Sequence, residues 1–330
     1  MKILADILGS TILFGVPLLL VALGGMFAER SGVINLALEG IMIIGALFGC
    51  LFLRNANLTG WGETHPQLAM LTAILLAGFV GALFSLLLSI AAINLKANQT
   101  ISGTALNQFA PAFAVVFSWA IQGRGQTTIN IPSWIRITTA NFGIAPSADP
   151  GFWETFLFKS FYLTTPVALV LFIASYVILY KTRLGLRLRA CGEHPQAAAS
   201  VGVNVYKMRF IGTTISGFLG GIGGLAFTIA AGSSFQSTVA GYGFLALAVM
   251  IFGNWKPVSI FFAANFFAFF KVISSYSSNI PFLPKFESIK SSSYIYQCIP
   301  YVVTMLVLIF TSKRSQAPLA EGQPYDKGQR

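Results

Sequence analysis

Lys181-Thr-Arg-Leu-Gly-Leu-Arg-Leu-Arg-Ala-Cys-Gly-Glu-His-Pro-Gln-Ala-Ala-Ala-Ser-Val-Gly-Val-Asn-Val-Tyr-Lys-Met-Arg209 is a charged block with long apolar runs on both sides. It sets six basic residues against a single acid, Glu193. Such a block between two hydrophobic segments has to lie in water, and its excess of Lys and Arg assigns it to the cytoplasmic side. Inside it, Glu193-His194-Pro195 followed by Gln196-Ala-Ala-Ala-Ser200 predicts a short helix. Pro195 suits the first helical position, Glu193 complements the positive end of the dipole, and Gly202 ends the turn. The side chains are too small for the segment to be held by its own packing. Ala198 is therefore expected to face a partner that approaches the backbone closely. An ordinary positive-inside loop accounts for the charge alone equally well.

Composition sets the frame for this block. The chain of 330 residues is 55% hydrophobic and only 9% charged, whereas about a quarter of a soluble domain is charged. Its 30 Phe and 32 Gly fit a helical membrane bundle, in which small residues let helices approach closely. A net charge of +11 would suggest nucleic acid in a soluble protein. Here the basic residues sit in loops between apolar runs, so topology explains them and no nucleic-acid partner is expected. Cys50, Cys191 and Cys298 lack ligand spacing, and with only His65 and His194 no metal site or cofactor is indicated. No cleavage site follows the first apolar run, which reads as a retained segment.

The expected fold is all-α: a polytopic integral membrane bundle of about nine spans, each needing about 20 apolar residues. They fall near 10–28, 33–53, 68–94, 99–121, 160–180, 210–231, 238–253, 257–275 and 294–311. The second and seventh are candidates for broken or re-entrant segments. Fixing 181–209 inside puts 122–159 outside and the tail 312–330 inside, and Lys313 and Arg314 support the latter. The segment 122–159 carries Trp134, Phe142 and Trp153 among several Pro and Gly, an interfacial composition. The chain lacks a Gly-x4-Gly-Lys-Ser/Thr pattern, so ATP binding is not expected of it.

Three polar or glycine-rich stretches stand inside spans. Asn35 and Glu39 are four apart and are expected on one face of a helix entering the membrane. An acid there costs on the order of 3 kcal/mol at mid-depth, so it either lines a path or sits partly hydrated at the helix start, pairing with Arg30. Asn98, Gln99, Ser102, Asn107 and Gln108 make 96–111 the most polar run within a span, and Gly103 and Pro111 allow a broken helix there. Asn107 and Gln108 offer donors and acceptors to a neutral polar solute, with helix–helix hydrogen bonding as the rival role. Gly217/Gly221 and Gly220/Gly224 have small-xxx-small spacing, which creates a flat helix face and suits close crossing better than nucleotide binding. Acids, histidines and nucleophiles are too scattered for a catalytic set.

Motifs at four spaced places in the chain resemble one family. Arg189-Ala-Cys-Gly-Glu-His-Pro-Gln-Ala-Ala198 is similar to the Arg-Ala-x-Gly-Glu-Asn-Pro-x-Ala-Ala loop of ABC importer permeases that carry branched-chain amino acids, simple sugars and nucleosides. His194 stands where Asn is usual. Residues 29–42, 248–257 and 317–326 resemble further motifs of that family, the last one its nucleoside-type members, and 98–107 also resembles its polar span. The resemblance implies a permease subunit of the cell inner membrane. A cytoplasmic ABC ATPase would dock on Gly192, Glu193, His194, Pro195, Ala197 and Ala198. A second permease, expected to be a paralogue, and an extracytoplasmic solute-binding protein would complete the importer, with membrane lipid around it. The cargo implied is a nucleoside, with simple sugars and riboflavin as close alternatives. An ion-coupled carrier that uses Glu39 is the rival from another class.

Overall fold

A computed structural model describes residues 2–139, 151–158, 161–232, 234–276 and 316–327, with positions 298, 302, 305, 306 and 309 between them. The helices run in the order α1 (Lys2–Arg30), α2 (Leu38–Leu58), α3 (Trp61–Thr64), α4 (Pro66–Ser89), α5 (Gln99–Gln122), α6 (Phe152–Phe158) and α7 (Thr164–Lys181). They continue as α8 (Arg183–Glu193), α9 (Pro195–Ser200), α10 (Val205–Ala231), α11 (Tyr242–Phe252) and α12 (Pro257–Ser275). A π-helical turn, Ile90–Asn94, extends α4. Two short strands, β1 (Ile129–Asn130) and β2 (Ser234–Phe235), pair antiparallel, with Ile129 opposite Phe235.

Seven of these helices are long and apolar enough to cross a membrane among the described residues. The expected span at 238–253 is replaced by the short apolar helix α11. The expected span at 294–311 lies outside the described residues apart from isolated positions, as do 140–150 and 159 of the segment 122–159.

The bundle is built around α1 and α10. Both are apolar round most of their circumference over most of their length, and a helix of that kind finds its stable place in an interior. They pack along each other, and α10 also carries α2 and α4. Glycines make these crossings close. The two pairs spaced by four on α10 do not form one flat face, as the spacing suggested, but turn to different helices. Gly217 lies against Gly81 and Ser85 of α4, and Gly221 against Gly81 and the Ala77 carbonyl, with Gly45 of α2 also touching it. Gly220 and Gly224 turn to α2 instead: a Cβ on Gly220 would stand 2.9 Å from Ile41, and one on Gly224 would overlap the Met42 carbonyl. Successive residues on a helix are about 100° apart, so Gly220 turns to α2 alone while Gly221 lies between α2 and α4. A Cβ on Gly24 would stand 2.8 Å from the Ser216 carbonyl oxygen, so the α1 crossing has no room for a side chain either.

α2 and α10 each run from one end of the bundle to the other. At one end the indole of Trp134 donates to Asn57 at 2.8 Å and rests on Gly62, next to the β1–β2 pair. At the other end lie α8, α9 and the tail.

Candidate functional site

α2 starts only at Leu38, so Asn35 stands in the turn before it and shares no helical face with Glu39. The sequence expectation is corrected here. Ser31-Gly32 ends α1, with the Ser31 hydroxyl donating to the Ala28 carbonyl at 2.6 Å and Gly32 at φ +93°. That left-handed turn favours glycine and interrupts the helical register. Asn35 caps the resulting loop: its Oδ1 accepts from Ala37 N at 3.1 Å and its Nδ2 donates to the Ser216 hydroxyl at 2.8 Å.

Three more of the sequence-predicted residues converge on the same segment. Gln99 Oε1 accepts from Ile34 N at 2.7 Å. Asn107 Oδ1 accepts from Gly40 N at 2.8 Å while its Nδ2 donates to the Leu36 carbonyl. Glu39 accepts from Gly241 N at 2.8 Å and from Gly243 N at 2.7 Å, which seats its carboxylate on the first turn of α11. Arg30 does not pair with Glu39; its guanidinium lies 3.3 Å from Glu193. Asn35, Glu39, Gln99 and Asn107 thus form one buried polar seam through α2, α5, α10 and α11. Every bond in it satisfies a group that would cost about 1–3 kcal/mol if buried alone. The α10 glycines predicted for packing, Gly217, Gly220, Gly221 and Gly224, contribute no side chain to this seam; they set how closely α2 and α4 approach it.

Of the stretches that allowed a break, the one in α5 stays whole and the seventh span is the interrupted one. α5 is continuous through Gly103 and Pro111. Gly103 serves close approach instead, since a Cβ there would stand 2.9 Å from that of Leu36. The interruption falls at 236–241, between β2 and α11, where Ser237 (φ 58°), Ala240 (φ 50°) and Gly241 (φ 79°) turn the chain onto the Glu39 carboxylate. Interrupted segments of this kind line the cavities of transporters, where helix starts meet charge.

α5 buries a single stripe: Gln99, Gly103, Asn107, Ala110, Ala114 and Ser118. Asn98 caps its start by accepting from Thr100 N and Ile101 N, and the Ser102 hydroxyl donates to the Asn98 carbonyl at 2.9 Å. Thr100, Thr104 and Gln108 follow one another at four-residue spacing on the exposed side. The two amides read together from the sequence therefore part company: Asn107 faces inward and Gln108 outward.

At the charged end, 195–200 folds as the short helix α9 with Pro195 in its first turn, and Gly202 follows at φ +84°. Two expectations fail there. Glu193 ends α8 and binds Arg30, so it is not the complement of the α9 dipole. Ala198 is buried, in a cluster with Cys191, Val205, Met208 and Tyr325, so α9 is held by its own chain. The outward positions are His194, Gln196, Ala197, Ser200 and Val201, the last 79% exposed. Gly192 meets the Arg30 carbonyl, joining α8 to the end of α1. Burial pushes the Cys191 thiol up to about 11.

Sequence reasoning missed the partners of these groups. Ser216 holds Asn35, the Trp255 indole donates to Glu29 at 2.5 Å, and Arg209, fully buried, donates to the Gln323 carbonyl at 2.8 Å. A signal existed for Arg209, a cation one turn into an apolar helix, which needs an acceptor nearby.

Comparison with known proteins completes the description. Residues 7–311 match the family described as branched-chain amino acid transport system, permease component. The chain is 40% identical to the guanosine ABC transporter permease protein NupQ of Bacillus subtilis, over 100% of this chain and 99% of that one. It is 37% identical to the nucleoside ABC transporter permease protein NupC of Lactococcus lactis, over 97% and 96% of the two chains. A putative glucose ABC transporter permease protein, TsgC13 of Haloferax volcanii, is 28% identical over 96% and 94%. No solved structure matches. A multi-pass helical chain matched over nearly its whole length, this protein belongs to the permease-component family of ABC transporters.

Proposed function

We propose that this chain is the permease subunit of an ATP-driven importer for nucleosides in the cell inner membrane. The observation that carries the reading is end-to-end identity of 40% with a guanosine permease. In this reading 181–209 and 312–330 are cytoplasmic and 122–159 faces outward. A separate ABC ATPase docks on the outer face of α9, through His194, Gln196, Ala197, Ser200 and Val201, a face left exposed between two spans. Because α9 is packed onto α10 through Ala198, a push on it is passed to the bundle centre. A second permease and an extracytoplasmic binding protein complete the system.

Solute passes along the exposed side of α5, where Thr100, Thr104 and Gln108 offer hydroxyl and amide groups to a neutral polar molecule. Asn35, Glu39, Gln99 and Asn107 hold the wall of that path and do not touch the cargo. This placement speaks against an ion-coupled carrier, because the Glu39 carboxylate is already committed to two backbone N–H groups.

The test is guanosine uptake by membrane vesicles that hold the complete importer. Uptake should require ATP, persist when ion gradients are collapsed, and be competed by other nucleosides but not by glucose. Uptake that follows an ion gradient without ATP would overturn the reading; competition by glucose would move the cargo to sugars.

A further inference from the structure

The tail from Gln316 to Lys327 returns along the charged end of the bundle and touches three elements that are far apart in sequence. Its Ala320 N donates to the Gly192 carbonyl at 2.9 Å, at the α8–α9 corner. Its Tyr325 ring is buried beside Tyr206, at 5.2 Å between centroids, and fills the cluster that contains Ala198. One residue later, Asp326 lies 2.9 Å from Lys96, while its carbonyl accepts from Gln196 at 3.1 Å. Lys96 sits between the π turn and α5 at φ 52°, a left-handed conformation that costs a non-glycine residue and needs outside support. Tyr325 thus grips α9 while Asp326 holds the junction from which α5 starts.

We propose that the segment 316–327 is a positioning strap that ties α9 to the α4–α5 junction, so that displacement of α9 moves α5. The proposal rests on the docking and path assignments above. It adds a route between them that bypasses the bundle core, and it makes Tyr325 and Asp326 positioning residues for transport. The ring provides the hold and the ion pair the alignment, since an exposed pair at the surface contributes little to stability.

The experiment measures guanosine uptake and ATP hydrolysis together in proteoliposomes that hold the complete importer. Tyr325→Ala should retain the ATPase and its hydrolysis but lower guanosine taken up per ATP by about tenfold. Lys96→Asp and Asp326→Lys should each lower that ratio by about two- to fivefold, and the double reversal should restore it. An unchanged ratio in all variants, or uptake and hydrolysis falling in proportion, would overturn the strap. If Tyr325→Ala does not accumulate, the charge reversals decide alone, because both side chains are exposed. A wild-type complex without ATP-dependent guanosine uptake would instead overturn the function on which the strap rests.

Discussion

α5 and α7 are equally uncovered: each is buried over 22% of its most apolar stretch, against 78% for α1 and α10. Their bare faces differ in kind. α7 presents Leu169, Val170, Ile173 and Val177, which lipid tails satisfy without loss. α5 presents Thr100, Thr104 and Gln108 beside its apolar residues. A free amide in hydrocarbon is costly, so that face turns to water, solute or another protein. Equal exposure therefore marks two different surroundings, and chemistry separates them where burial cannot.

The largest effect expected is on the inner face of α5. Asn107→Leu strands Gly40 N and the Leu36 carbonyl together, at about 1–3 kcal/mol each. The variant should lose thermal stability and accumulate poorly, whereas Gln108→Leu should keep wild-type stability and lose uptake. Equal stability for both would erase the division between wall and path. Next comes the lipid side. Val170→Asp on α7 should cost about 3 kcal/mol of insertion, while Thr104→Asp on α5 should be carried at near wild-type levels in a membrane fraction. If Thr104→Asp fails equally, α5 faces lipid after all.

The same inside-against-outside contrast holds on α9, at smaller cost. Ala198→Trp overpacks the Tyr325 cluster by about 1–3 kcal/mol and should show as lowered stability. Val201→Ser should leave stability alone and weaken retention of the ATPase in a pull-down. The smallest effect concerns Glu321, whose carboxyl lies against that of Glu29 and is raised by burial above its usual 4.5. Its folded value exceeds its unfolded one, so its contribution to tail docking is full below 4.5 and is lost as pH rises through the raised value. Limited proteolysis of the tail should therefore quicken as pH rises, and Glu321→Gln should flatten that dependence.

What the sequence disclosed follows from how each feature is encoded. Long apolar runs fix spans by length alone, and α9 was legible because Pro195 and Gly202 mark its two ends. The start of α2 was not, since Asn35 and Glu39 sit at helical spacing by coincidence and only Gly32 hinted at the turn. The glycines of α10 announced close crossings, but spacing does not say that Gly217 meets α4, that Gly220 and Gly224 meet α2, and that Gly221 lies between the two. Asn107 and Gln108 are adjacent and chemically alike. Their opposite roles depend on where Gly40 and Leu36 lie, 67 and 71 residues away along the chain, which no local pattern records. Ala198 misled for a similar reason: its packing partner Tyr325 is near the far terminus.

The most direct test of the division between path and lipid is thiol accessibility in a variant with Cys50, Cys191 and Cys298 replaced. A cysteine at Gln108 and one at Val170 would each be treated, in the assembled importer, with a membrane-impermeant reagent in the presence and absence of guanosine. The account predicts that the α5 site reacts and is slowed by guanosine, while the α7 site stays inert. Equal reactivity at the two positions, or labelling at Gln108 that guanosine leaves unchanged, would contradict it.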